Sequence, residues 1–453
     1  MGVKTRKLGN INNQIVEWQT VHVSDGSTAL TTVAGRGYFI NTTAGAQTVN
    51  LPGTPRFGDR VSLKDFARTW ATNAVTMGSN KFDGVSSVTP SFNTEGQTVS
   101  LIYMGSAQGW SLINEDTTTS LGKQYVTATG GTVTESGNFK IHTFTGDGNF
   151  VVSSAGNVAG SNKVSYVVIA GGGAGMTKGA RNSNTSERYG MGGGGAGGYR
   201  EGKTPTYDTY TASPLVAPDG LPVSAQTYPV TVGGGGAATS IPSTASSGPN
   251  GSNSVFSTIT STGGGGGGYG SPCTYSTAGD PGGSGGGGGA GPPSEAGGNG
   301  NTPPVSPPQG NNGGVGKSQQ DTGGGGGGGA TAVGAGQTGS ASPRVSNGGA
   351  GGAGATSCIT GSPVARAGGG GGGAGYPSCG GGTVTPGAGG SGGGGYGGGP
   401  PSNPTPNDTT NGVAGTANTG GGGGGAGGTG ATGTCTGGAG GKGIVIIRYK
   451  FQN

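Results

Sequence analysis

The sequence predicts an all-β protein in two parts. The first is an N-terminal β module, a sandwich or β-prism. The second is a short β-base carrying a glycine-rich bundle of polyglycine II helices, and essentially no α-helix is expected. Three observations carry this reading. Of 453 residues, 117 are glycine, and the long glycine runs fall between residues 171 and 443. Nearly all Trp, Phe and Ile residues lie before residue 170 or at the extreme C-terminus. Period-two alternation recurs in short segments, whereas no stretch shows a 3.6-residue apolar period. With 29% hydrophobic residues, the chain is too poor in apolar side chains for one large conventional core.

Residues 13–118 read as short strands punctuated by Gly, Asn and Pro. Val16–Val21 alternates, Arg36–Thr43 follows with a turn at Ala44-Gly45, and Gln47–Leu51 ends at Pro52-Gly53. Asp59–Phe66, Thr98–Tyr103 and Trp110–Ile113 alternate strictly. Residues 1–12 form an arm whose Lys4, Arg6 and Lys7 are the one local concentration of charge, read either as a solvated arm or as a docking arm for a larger assembly. Residues 119–163 are a Thr-rich linker and a hairpin, with strands at Asn138–Phe144 and Gly148–Ser153 about Gly146-Asp147-Gly148. Residues 164–453 are the glycine-rich bundle, bracketed by strands at 164–170 and 444–450. If these two strands pair, the tract between them must go out and come back.

Glycine gives up the most backbone freedom on ordering, so an ordered glycine run needs compensation. The extended three-residue-per-turn conformation rises about 3.1 Å per residue and leaves every N–H and C=O outward. Those groups need partners. Segments side by side can satisfy one another only where no side chain intervenes. A surrounded segment therefore needs glycine on all three faces, as in Gly323–Gly329, while an edge tolerates interruption, as at Tyr396 in Gly392–Gly397. A disordered spacer is the alternative, and collagen is excluded by the absence of a strict every-third-glycine pattern.

A net charge of +5 over 453 residues is too dilute for an electrostatic nucleic-acid binder. No apolar run reaches membrane-spanning length, so no membrane insertion is expected. Met1–Lys7 is not followed by an apolar stretch of signal-peptide type, and release by lysis is the expected route out of a cell. G-x-G-x-x-G matches follow from composition alone. Gly313–Ser318 resembles a phosphate loop but has Asn311 where the first glycine belongs. Cys273, Cys358, Cys379 and Cys435 sit in separate islands without His, which argues against zinc and leaves open whether they form disulfides. His22 and His142 lie in strand-like segments and read as structural or exposed. Beyond residue 170 the acids are sparse, and nothing in the sequence brings two together across a sugar bond. No enzyme, cofactor or metal site is expected.

The candidates for recognition are the islands between glycine runs. They contain Arg181, Asn182, Arg188 and Tyr189; Tyr269 and Tyr275; Pro303–Gln309; Arg344; Arg366; Tyr376; and Asn407 within Pro400–Asn411. Tyr and Arg can stack on sugar rings or meet acidic groups with little entropy loss. Each island reads equally as a plain turn.

Val164–Gly175, Gly192–Tyr199 and the closing Gly441–Tyr449 resemble the glycine-rich domain of tailed-phage fibre and adhesin proteins. Thr127–Val133 and Lys140–Gly146 are similar to the segment preceding that domain. Gly37–Gly45, Gly58–Asp65 and Gly109–Leu112 resemble a β module of cyanophage virion fibres. The resemblance implies a virion protein, assembled in the host cytoplasm, whose distal bundle loops contact a host-surface glycan or outer-membrane protein. It implies docking through the N-terminus to tail, baseplate or neck proteins, and a homotrimer. A purely structural head, neck or tail decoration fibre is the alternative. The family supplies no residue-level receptor motif.

Overall fold

The computed structural model describes residues 16–113, 123–157, 160–178, 188–239, 246–271, 276–318, 322–338, 346–375, 384–399, 410–428 and 434–452. Among them every regular element is a strand. The chain divides into two compact units, Met1–Val126 with Ala155–Asn162, and Thr127–Ser154 with Lys163–Asn453.

In the first unit, β1 (Glu17–Trp18), β2 (His22–Val23), β3 (Leu30–Thr31), β4 (Arg36–Asn41), β5 (Gln47–Asn50), β6 (Arg60–Asp65), β7 (Val75–Met77), β8 (Asn80–Phe82), β9 (Val85–Val88), β10 (Ser91–Phe92), β11 (Thr98–Tyr103) and β12 (Trp110–Leu112) make two sheets. The larger runs β1-β4-β6-β11-β12-β8-β9 with β2 also on β4, and the smaller runs β10-β7-β5-β3. From β3 to β7 the chain alternates between sheets. Parallel pairs therefore form between β4 and β6 in one sheet and along β3, β5 and β7 in the other. Parallel neighbours need a crossover, and here a strand of the opposite sheet supplies it instead of a helix. The expected sandwich of strands is thus wound as a coil, which antiparallel β10 and β11 close. The inward residues of both sheets, among them Ile40, Leu63, Leu101 and Trp110 from one and Val49, Val75, Met77 and Phe92 from the other, form one core around the fully buried Trp70.

The second unit adds β13 (Val126–Thr129), β14 (Thr132–Ser136), β15 (Phe139–Phe144), β16 (Gly148–Ala155), β17 (Lys163–Ile169), β18 (Tyr199–Gly202), β19 (Val216–Ala217), β20 (Leu221–Pro222), β21 (Thr227–Thr231), β22 (Ser254–Phe256), β23 (Ile259–Ser261), β24 (Ala355–Ser357), β25 (Val364–Arg366) and β26 (Ile444–Lys450). The closing strand β26 lies between β15 and β17, antiparallel to both, with Ile169 opposite Ile444 and Ser165 opposite Arg448. The two ends of the glycine tract are therefore pinned side by side. The hairpin expected about Gly146–Gly148 does not form, although both its strands do. β15 has its two edges taken by β14 and β26, so the chain passes at this turn into a second sheet, where β16 lies between β13 and β21. The apolar run Ile444–Ile447 outcompetes β16 for that edge because it brings four buried side chains to the base.

Beyond the base the glycine segments bond to one another chiefly through the backbone. The segment at 190–198 shows how. Its N–H groups at 190, 193 and 196 donate to the carbonyls of Thr322, Gly325 and Gly328, those at 191, 194 and 197 to Ala426, Gly423 and Gly420, and those at 192, 195 and 198 to Gly268, Gly265 and Thr262. Its carbonyls accept from Ser284, Gly287 and Ala290, from Gly370 and Gly373, and from Ala170, Gly173 and Met176. Six neighbours are served with a three-residue period, the geometry of a polyglycine II bundle. A Cβ on Gly194 would land on the carbonyl oxygen of Gly173, and one on Gly327 on that of Gly194. Glycines 323–329 are all buried, whereas Tyr396 stands 44% exposed at an edge, as their runs predict.

Candidate functional site

The bundle has two unlike ends. At the base, segments run into strands and tight turns: Ala170 and Ile444 at β17 and β26, Gly198 at β18, and Gly354 and Ala367 at β24 and β25. Apolar side chains fill this level, including Ile141, Val167, Ile169, Tyr199, Ile359 and Ile446. Among them sits a buried polar network. Glu201, 2% exposed, accepts from Tyr199 Oη at 3.0 Å, Tyr210 Oη at 3.1 Å, the Ser213 N–H at 2.9 Å and Ser357 Oγ at 2.6 Å. Burial, reinforced by the Glu201 charge, pushes the Tyr199 and Tyr210 hydroxyls far above the usual phenol range, which keeps them as donors. Asp208 accepts from Arg448 Nε of the closing strand at 2.8 Å and from Ser165 Oγ at 2.8 Å. Burial pushes its carboxyl upward and the Arg448 charge opposes that shift. Every carboxylate oxygen in this network is occupied by the fold itself, so it holds the base together.

At the other end lie Thr177 and Lys178, Arg188–Gly190, Thr239, Ser271, Gly291, Lys317, Thr322, Thr338, Ser346, Gly375, Gly398, Thr410, Gly428 and Cys435. Cross-bonds establish this level. They include the reciprocal pair between Lys178 and Cys435, Gly190 N–H to Thr322, Gly291 to Lys317, Gly375 to Ser346, Asn347 to Thr338, Gly427 to Thr410, and Thr177 Oγ1 to Thr239. Gly291 apart, these residues adjoin the stretches 179–187, 240–245, 272–275, 319–321, 339–345, 376–383, 400–409 and 429–433. All eight interruptions in the described part of the bundle thus begin and end at one level, away from the strands. A small cluster of Met176, Met191, Tyr269, Ala426 and Cys435 closes the bundle just below it. There the Gly270 N–H donates to Met191 Sδ at 3.2 Å, a side chain taking the place of a neighbouring carbonyl.

The islands singled out in the sequence divide accordingly. Arg188 and Tyr189 stand at the open end, with Tyr189 4% exposed. Tyr269 is also buried, as part of the cluster. Arg366 lies at the opposite end, in β25 against Ala355. It is 8% exposed, burial pushes its pKa down, and the nearby Tyr199 and Glu201 oppose that shift. Its side chain belongs to the base. The Pro303–Gln309 island is also a base turn, tied by Gln309 Oε1 to the Thr262 N–H and by the Gln309 carbonyl to the Tyr199 N–H. Arg181, Asn182, Tyr275, Arg344, Tyr376 and Asn407 lie outside the described residues, as do Lys4, Arg6 and Lys7. So do Cys273 and Cys379, while Cys358 is a free thiol and Cys435 is buried. His142 is fully buried, its Nδ1 2.7 Å from the Gly130 carbonyl and its Nε2 3.1 Å from Tyr449 Oη. Sequence reading did not place Lys178 and Lys317 at the open-end level, where the structure puts both.

The family model for a glycine-rich domain matches residues 145–450, from the turn before β16 to the last residue of β26. The chain belongs to this glycine-rich domain family. The match takes in both pinned strands and the bundle between them, and leaves β14 and β15 of the base outside it. No curated protein matches the chain.

Proposed function

We propose that the protein is a phage virion fibre or tail-tip adhesin that recognises a host surface through the open end of its glycine bundle. One observation carries this reading: the residues that flank the connecting stretches, Lys178, Arg188 and Thr322 among them, share one level away from the pinned base. The glycine segments then act as a rigid platform, and recognition belongs to the connecting stretches. Loops held on a rigid scaffold are where binding residues concentrate. The family match supports the platform. The partner is a host-surface glycan or outer-membrane protein, and the N-terminal arm and module dock to other virion proteins, with three copies forming the fibre. Binding needs no cofactor, and no hydrolysis accompanies it.

The test is adsorption competition. Excess purified chain is expected to reduce phage adsorption to susceptible cells. A variant in which 179–187, 339–345 and 400–409 are replaced by Gly-Ser links of equal length is expected to lose that effect while keeping the amide protection of the bundle. A chain that decorates virions in immunogold images, yet never competes, would make it a structural decoration fibre instead.

A further inference from the structure

Asparagine followed by glycine is the dipeptide most open to attack of the backbone on its own side chain, because the glycine nitrogen approaches unhindered and its backbone bends freely. The described bundle contains five such pairs: Asn250-Gly251, Asn299-Gly300, Asn312-Gly313, Asn347-Gly348 and Asn411-Gly412.

In four of them both reacting groups are engaged. The Oδ1 atoms of Asn250, Asn312, Asn347 and Asn411 accept backbone N–H groups of adjacent segments at 2.7, 2.8, 2.7 and 2.8 Å. The N–H groups of the glycines that follow donate to backbone carbonyls, Gly251 to Gly264 at 2.9 Å, Gly313 to Gly298 at 3.0 Å, Gly348 to Thr385 at 3.0 Å and Gly412 to Thr436 at 2.9 Å. Attack therefore requires a segment to lift off its neighbour. Asn299 differs in its own side chain and in what holds the N–H that follows it. It is exposed, and only its backbone carbonyl is hydrogen-bonded among the described residues, to the Gly282 N–H and Thr302 Oγ1. The Gly300 N–H is held by one side-chain oxygen, Asn312 Oδ1, in an exposed bond.

We propose that Asn299-Gly300 is a spontaneous deamidation site, and that lateral bonding of the bundle protects the other four pairs. The Gly300 nitrogen attacks Asn299 Cγ, the N–Cγ bond forms and the Cγ–Nδ2 bond breaks. The amide proton leaves with the departing nitrogen as ammonia. Water then opens the cyclic imide at either carbonyl, giving aspartate or isoaspartate, with no oxidant or reductant consumed. Either product adds a carboxylate to the edge segment 295–300. Isoaspartate also inserts a methylene into the main chain ahead of the turn held by Asn301, whose N–H bonds to Gly283 and whose Oδ1 accepts from Val305 and Gln309. The three-residue register is lost at that point, and the edge segment loosens from the base.

The test incubates the full chain at mildly alkaline pH and quantifies deamidation and isoaspartate by peptide mass spectrometry. Asn299 is expected to convert roughly tenfold or more ahead of the other four, the worth of one lateral hydrogen bond. In denaturant all five are expected to convert at similar rates. Asn312→Ala frees the Gly300 N–H and accelerates conversion at Asn299 alone, whereas Asn312→Asp keeps an acceptor and does not. The proposal is overturned if another pair converts first in the native chain, if all five keep pace with one another there, or if Asn312→Ala speeds the remaining pairs equally.

Discussion

The N-terminal module and the glycine bundle solve the same problem with opposite materials. In the module, inward-facing Trp70, Trp110, Phe82 and Phe92 are removed from water, and apolar burial supplies the stabilisation. In the bundle the interior is main chain. Gly194 and its neighbours bury peptide groups, and the compensation is a donor or acceptor on every side. The first kind of core fails when something is taken out and the second when something is put in. Alanine shows where the rule relaxes. Ala174, Ala196, Ala330, Ala367, Ala374 and Ala426 are all buried, and four of these adjoin the two apolar clusters. There the methyl groups pack against apolar side chains while the lateral backbone bonds remain.

The comparison breaks most sharply with Gly194→Val. The new side chain has only backbone to meet, the carbonyl groups of Gly173 and Ala174, and at least one buried lateral bond must open. A loss of about 5 kcal/mol or more is expected, from overpacking together with unsatisfied buried amides. Amide hydrogen exchange of the full chain checks it, with protection lost across 171–176, 323–329 and 421–426 and retained in the module. Next is the reverse change in the module. Phe92→Ala leaves a cavity beside Val75 and Trp70 and is expected to cost about 3–5 kcal/mol, read from denaturant unfolding followed by tryptophan fluorescence.

A smaller effect concerns His142, which ties β15 to the closing strand. Burial lowers its pKa from 6.5, Lys140 adds to that, and the Gly130 carbonyl opposes it. The unfolded chain therefore takes up the proton first. The second unit is expected to be fully stabilised by this residue above about pH 6.5 and to lose stability as pH falls below that value. Melting temperature against pH, compared between the native chain and His142→Phe, should show a shallower acid slope in the variant. Parallel slopes would remove His142 from the account. The smallest effect sharpens the contrast with Gly194. At Gly234 a Cβ meets nothing within 4 Å and φ is not positive, so Gly234→Ala is expected to stay within about 0.5 kcal/mol of the native chain by thermal unfolding.

Much of this division was legible in the residues. Val164–Ala170 and Ile444–Lys450 are apolar enough to be strands in any setting, and their position at both ends of a glycine tract already implied pairing. Unbroken runs such as Gly323–Gly329 marked interior segments because a Cβ at these positions would land on a neighbouring carbonyl. Less legible were choices among partners of similar quality. Alternation in Arg36–Asn41 and Arg60–Asp65 specified which side chains face inward, yet parallel and antiparallel neighbours bury the same face. The coil of the module therefore could not be read from it. Arg366 looked like surface because its island is short and polar. Its burial depends on Glu201 and Tyr199, which arrive beside it only when the base assembles.

The sequence by itself determined the materials: strands at two ends, glycine where segments are surrounded, and islands where the chain turns. Those follow from local sterics and from each residue's appetite for water. Only the tertiary structure decided which turns share an end. Direction reverses at every turn, and several base turns, such as Thr331-Ala332 and Ser391–Gly393, are too short to distinguish from the segments they join. The level of each island is set by the lateral bonds of the whole bundle, a property of the assembled neighbours that no single stretch of chain contains.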